Sequence, residues 1–188
     1  MSRGAAWLPK PVWGMTAPAV RASFVIVIRR ATRRDWDWIV SVATSVYDDL
    51  GDYETIIPSW LEHPGVLTYI DEIEAAHNGA GPLRGFILLG FYQPPGESAG
   101  EYVADLLAIA VHPHHRRRGV GRALLDHAIA VAARAGRTTI CPEIRLTVAH
   151  TNEVGQHLFS SSGFRVLDAN HGSYDGGQRA IRMARLLP

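Results

Sequence analysis

The chain has one cysteine, Cys141, and one lysine, Lys10, among 188 residues. A single thiol excludes an internal disulfide framework and a cysteine-rich zinc site. The lack of lysine excludes the Walker phosphate loop, which closes on Gly-Lys-Ser/Thr. Long apolar runs are also missing. Pro9, Pro11 and Pro18 break the start of the chain, so it fails as a signal peptide and is too short in apolar length to span a bilayer. A cytoplasmic protein with no membrane partner is expected. The formal net charge is only +1, without the basic excess of a nucleic-acid-binding domain, so no nucleic acid partner is expected. Residues 1–22 read as a tail or loosely docked arm, and residues 23–188 as a single domain long enough to bury a core.

Against this background one stretch stands out. VHPHHRRRGVGR, from Val111 to Arg122, crowds three histidines and four arginines around two glycines. It follows EYVADLLAIAV (Glu101 to Val111), which reads as a buried strand, and it opens a helix running from Gly119 to about Ala135. The first N–H groups of a helix lack internal partners, and the helix dipole adds about half a positive charge there. Gly119 and Gly121 strip side chains from that turn, and Arg116, Arg117, Arg118 and Arg122 add charge around it. Together they form a cradle for a phosphate or diphosphate. The histidines have no carboxylate or cysteine to complete a metal site, and none is expected.

The rest of the chain alternates strands and helices. FVIVIRRAT is a β-branched strand, and Asp35 offers an N-cap for a helix to about Tyr47. A short helix is expected near Ile56 to Leu61. VLTYIDEIE and LRGFILLGFYQ read as strands flanking an Asn78-Gly79 hairpin turn. EIRLTVAH is a further strand and NEVGQHLFSSSG a further helix. FRVLDA and QRAIRMARLL close the chain as a hairpin.

These pieces resemble a known family. Arg116, Gly119 and Gly121 match the coenzyme A loop of the GCN5-related N-acetyltransferases, [QR]-x-x-G-x-[GA]. LTVAHTNEVGQHLFSSSGF resembles the family's second signature, with Asn152, Leu158, Gly163 and Phe164 in place and Gly155 where alanine is usual. The resemblance implies an α/β (α+β) fold with a mixed seven-stranded sheet, splayed between strands 4 and 5 and flanked by about four helices. It implies acetyl-CoA as acyl donor. Its pantetheine arm would pair with the main chain of Ile109, Ala110 and Val111, its diphosphate with the amides from Arg117 through Val120 to Arg122, and Asn152 would reach the arm near the thiol.

Acetyl transfer requires an amine that has lost its proton. A lysine-type amine must surrender roughly 3.4 pH units at neutrality, an α-amine only about one. Asp105, a polar break in the apolar strand, is the candidate base, since an acidic residue serves at the matching position in several members of the family. Glu101 and Tyr102 are second choices, and a structural carboxylate is the competing role for Asp105. Phe159 stands where many members have a tyrosine that protonates the leaving thiolate. Tyr174, His157 or solvent would have to substitute, or the thiolate leaves unassisted. HGSYDGGQRAIRM resembles the closing hairpin of the protein N-terminal acetyltransferases, where Tyr174 would line the acceptor groove. The acidic turn with Asp48, Asp49, Asp52 and Glu54 is expected over the acceptor mouth. An acyltransferase acting on a small-molecule amine or a protein N-terminus is the leading function, and a non-catalytic acyl-CoA sensor is the alternative. A monomer or homodimer is expected.

Overall fold

A computed structural model describes residues 26–73, 81–93, 102–136 and 141–188. The expected N-terminal arm, the Asn78-Gly79 turn and Glu101 lie outside the described residues. The elements run β1 (Ile26–Arg30), α1 (Trp36–Val46), α2 (Tyr53–Glu62), β2 (Val66–Ile73), β3 (Leu83–Tyr92), β4 (Val103–Val111), α3 (Val120–Ala135), β5 (Glu143–Ala149), α4 (Glu153–Ser161), β6 (Arg165–Asp168) and β7 (Ala180–Leu186). The strands form one sheet in the order β1-β2-β3-β4-β5-β7-β6. Of its pairings only β4 with β5 is parallel, as a sheet that must place a crossover helix, here α3, between those strands requires.

α1 starts where expected and α2 earlier, each with a local cause. Asp35 stands at the N-cap of α1 but makes no side-chain cap bond there. Its carboxylate accepts instead from the Thr32 amide at 2.7 Å and from Arg29 at 2.8 Å. The Arg29 guanidinium and the Thr32 donors hold the Asp35 carboxyl down to about 2, against the smaller opposing effect of burial. α2 begins at Tyr53 rather than near Ile56 because Asp52 accepts from the Thr55 amide at 3.2 Å and caps it.

Two cores lie on opposite sides of the sheet. On one, α3 and α4 cover Ile87, Leu89, Ala104, Leu106, Ile144, Leu146 and Met183. On the other, α1 and α2 cover Ile70, Phe86, Leu88, Ala108 and Ala110. α3 seats close against β3 because Gly85 has no side chain: a Cβ there would stand 2.8 Å from the Ala110 carbonyl oxygen and 3.0 Å from Leu124.

The odd and even residues of β4 exchange sides between Leu106 and Ala108. The cause is a bulge. Leu88 pairs with Ala108 but Leu89 with Leu106, so Leu107 is an extra residue. Side chains alternate with a period of two, so one inserted residue reverses every later side chain. The bulge also bends the strand. Pairing of β4 with β5 covers only Ala104, Asp105 and Leu106, and beyond it the two strands part. The splay expected between strands 4 and 5 thus begins at Leu107.

Candidate active site

The loop from β4 into α3 carries two residues of left-handed backbone. A 3-10 turn at Pro113–His115 leads to Arg117, which has φ +61°, and to Gly119, which has φ +82° and is the N-cap of α3. Two left-handed residues around an N-cap turn successive amides toward one concavity, the geometry of an anion nest. A Cβ on Gly119 would meet nothing within 4 Å, so the space over the amides is free for a diphosphate. Arg116, Arg117 and Arg118 are exposed around it. Arg122 is placed differently from expectation: its guanidinium donates to the hydroxyls of Ser161 and Ser162. The guanidinium thus lies at the C-terminal end of α4, while the Arg122 amide remains in the first turn of α3. His112 stacks on His114 at 5.4 Å and on Trp38 at 6.5 Å, and burial, then Arg118, pushes the His115 imidazole below its usual value. Among the described residues no group of three His, Cys, Asp or Glu could hold a metal.

Next to the cradle, the three residues expected to receive the pantetheine arm differ. Tyr47, at the end of α1, donates its hydroxyl proton to the Ile109 carbonyl at 2.7 Å and accepts from the Ile109 amide at 3.0 Å. In an antiparallel pair the N–H and C=O of one residue point the same way and alternate along the strand. Those of Ile109 face the splay, so those of Ala110 face β3, and Ala110 offers the splay no main-chain group. Val111 faces the splay like Ile109, and its carbonyl accepts from Arg116 Nε at 3.2 Å. Asn152 caps α4, its side-chain oxygen accepting from the Gly155 amide at 2.8 Å. Gly155 allows this, because a Cβ there would come within 2.7 Å of Asn152 Nδ2.

The splay opens into a cavity of about 270 Å³ that brings together Asp105, Ile109, Asn152, Phe159 and Tyr174 with Tyr47 and Tyr53. Asp105 is buried, with 8% exposure. Its Oδ2 accepts from Arg182 Nη2 at 3.0 Å and from the Tyr92 hydroxyl at 3.3 Å. Arg182, on β7, reaches over β5 and also donates to Thr147 Oγ1 at 3.2 Å. Asp105 is thus both a cavity carboxylate and half of an ion pair. Arg182 and Tyr92 were not singled out in the sequence, although Arg182 is a polar break in an apolar strand just as Asp105 is. Tyr102 is 36% exposed and is not among the cavity-lining residues, nor is His157.

One wall of the cavity is made by two loops locked together. The Gly176 amide donates to the Leu50 carbonyl at 3.1 Å, and Gln178 Nε2 to the Asp49 carbonyl at 2.6 Å. A Cβ on Gly176 would stand 1.8 Å from the Asp49 oxygen, so only glycine fits. This contact brings Tyr174 beside Tyr53 and sets Asp175 against Gly51, facing the acidic turn. Burial pushes the Tyr174 phenol well above its usual value.

The open amide turn, the splayed parallel pair and the buried Asp105 all lie along β4 and its exit into α3. Residues 31–164 match the profile of the Acetyltransferase (GNAT) family. The chain belongs to that family. Acetyl-CoA is the family's acyl donor, and the GNAT chain has the open amide turn that its diphosphate needs. Among characterised proteins, the chain is similar to the ribosomal protein bS18-alanine N-acetyltransferases of Escherichia coli K12 and Shigella flexneri, each 37% identical over 84 residues, or 43% of this chain and 54% of theirs. It therefore spans about half the length of the curated relatives it matches. The fold is that of Arabidopsis thaliana NAA60, solved with a bisubstrate analogue (TM-score 0.72, 12% identity, 87% of this chain and 98% of that one). It is also that of Ard1 from Thermoplasma volcanium (TM-score 0.63, 23% identity, 87% and 98%). Among the described residues no helix is long and apolar enough to cross a membrane.

Proposed function

We propose that this GNAT protein transfers the acetyl group of acetyl-CoA to the α-amino group of a protein or peptide N-terminus. The observation that carries the reading is the content of the cavity. Among the described residues that line it, Asp105 is the one carboxylate and no histidine is present, and Asp105 is shared with Arg182. A single ion-paired carboxylate suits an acceptor that gives up its proton readily. An α-amine near pKa 7.8 needs about one pH unit of help at neutrality, a lysine roughly 3.4. The local likeness to the ribosomal protein bS18-alanine N-acetyltransferases points the same way. Asp175 stands against Gly51 of the acidic turn, and negative charge there favours a cationic amine of either kind.

The residues divide the work as follows. The amides from Arg117 to Gly121 and the exposed arginines hold the diphosphate, and the main chain of Ile109 and Val111 orients the arm. Asp105, held by Arg182 and Tyr92, takes the proton from the attacking amine, directly or through a water. The amine nitrogen forms the new bond to the acetyl carbon as the bond to sulfur breaks. Phe159 has no proton for the departing thiolate. Tyr174 is a poor donor to it: a thiolate of pKa about 8.5 would have to take a proton from a phenol above 10, uphill by at least about 2 kcal/mol. Tyr174 is therefore a wall of the acceptor groove, and the thiolate leaves beside the N-terminal end of α4.

The test is thiol release with a set of acceptors. Peptides with a free N-terminal residue should be turned over, and the same peptides blocked at the N-terminus but carrying an internal lysine should not. Turnover of the blocked peptides would overturn the α-amine assignment. Tight coenzyme binding with no release for any amine would instead mark a sensor module.

A further inference from the structure

The main chain of Ile109 has two claimants. The Tyr47 hydroxyl takes both of its groups, donating to the carbonyl at 2.7 Å and accepting from the amide at 3.0 Å. One hydroxyl supplies one proton and a lone pair, the same donor and acceptor couple that an amide of a strand-like ligand presents. Ile109 lies beyond the bulge, where β5 has turned away. The hydroxyl therefore stands in for the missing strand. An arm laid along β4 needs the same two groups, and both cannot hold them.

We propose that Tyr47 is a displaceable plug on the coenzyme strand: its hydroxyl satisfies Ile109 in the free protein and yields that residue's N–H and C=O to the pantetheine arm. The inference rests on the acetyl-CoA reading of the cradle. Without the plug, the N–H and C=O of Ile109 would face the cleft with no protein partner, at a cost of up to a lost hydrogen bond for each. With it, the strand is satisfied in both states and the coenzyme must compete for its place. Release does not require the backbone to move. Tyr47 caps α1, with its amide on the Ala43 carbonyl at 2.9 Å, and its ring already leans on Tyr53, centroids 4.5 Å apart. A turn of the side chain that takes the hydroxyl off Ile109 must rearrange Tyr53 and Tyr174, which line the same cavity. That wall is tied to Asp49 and Leu50, so arrival of the arm is felt in the acceptor groove.

The plug predicts two effects of opposite sign in Tyr47→Phe. The free protein should melt a few degrees lower, because Ile109 loses its partner. Acetyl-CoA should bind about 3- to 10-fold tighter, because the competitor is gone. Adenosine 3′-phosphate 5′-diphosphate, which has the coenzyme's phosphates but no arm, should bind the variant and the wild type alike. Calorimetry and thermal unfolding give all three. Equal or weaker binding of acetyl-CoA by the folded variant would overturn the proposal. Failure of the arm-less nucleotide to bind the wild type would overturn the cradle instead, and the acetyl-CoA comparison would still decide the plug. If the variant does not fold, the wild type carries the test through its ¹³C-labelled tyrosine signals. The Tyr47 ring signal should shift with acetyl-CoA and not with the arm-less nucleotide, and no shift with acetyl-CoA sinks the plug.

Discussion

The pairing of Asp105 with Arg182 separates a base from a structural carboxylate. Arg182→Met removes the guanidinium and keeps most of the volume, leaving Asp105 without its 3.0 Å partner. The side chains are 12% and 14% exposed, between the regimes of surface pairs, worth up to about 1 kcal/mol, and fully buried ones, where removing one partner costs about 3–5 kcal/mol. A loss of about 2–3 kcal/mol follows, or a melting temperature lower by about 5–10 °C for a chain of this size. Asp105→Asn should cost less, since an amide still accepts a hydrogen bond, and the double variant should be more stable than the sum of the two losses by about 1–2 kcal/mol. Activity divides the cases differently. If Asp105 is the base, Asp105→Asn should lower turnover by about 10²- to 10⁴-fold at pH 7 with coenzyme affinity intact. Arg182→Met, which keeps the carboxylate, should stay within about 10-fold of wild type. The assay is thiol release at saturating acetyl-CoA, with stability from chemical denaturation of the same samples. Equal activity losses in the two single variants, or an Asp105→Asn enzyme near the wild-type rate, would show that the carboxylate only holds the strands together.

Three further expectations are cheaper to check. Gly119→Asp should abolish acetyl-CoA binding by calorimetry, since its side chain enters the open space over the cradle; Gly119→Ala carries the same backbone strain, about 1–2 kcal/mol at positive φ, and should still bind. Gly176→Ala forces the closing hairpin off the Asp49 carbonyl and should raise the acceptor Michaelis constant by about 10-fold with coenzyme affinity unchanged, because uniform acceptor binding is what the wall supplies. Burial raises the phenols of Tyr47, Tyr53 and Tyr174, so the unfolded chain loses those protons first as pH passes about 10. Stability should fall from there by about 1.4 kcal/mol per pH unit per tyrosine, and Tyr174→Phe should remove one share of that slope while raising the acceptor Michaelis constant and sparing turnover.

Much of this protein is legible in its linear order because its signals are local. The cradle needs a strand, a turn with glycine at its left-handed position and a helix start, and Val111 to Arg122 hold all three in consecutive residues. The alternation of EIRLTVA and the helical spacing of α3 similarly place their apolar faces without knowledge of partners. Asp105 is visible for a related reason, as a charge where the period calls for an apolar or unexceptional side chain. What Asp105 faces was not visible. Arg182 comes to it from 77 residues away through the order of strands, and only the β4-β5-β7 arrangement puts them on one face. The bulge at Leu107 has no marker in VADLLAIAV, since its neighbours are apolar whichever side they point to, yet it reverses the strand and starts the splay. The Arg122 guanidinium, beside the cradle by spacing, turns to Ser161 and Ser162 at the end of α4, a contact that no local pattern announces. Tyr47 looked like the last residue of a helix. Its hydroxyl on Ile109 exists because the sheet opens just there, and main-chain groups exposed by an opening must find a partner.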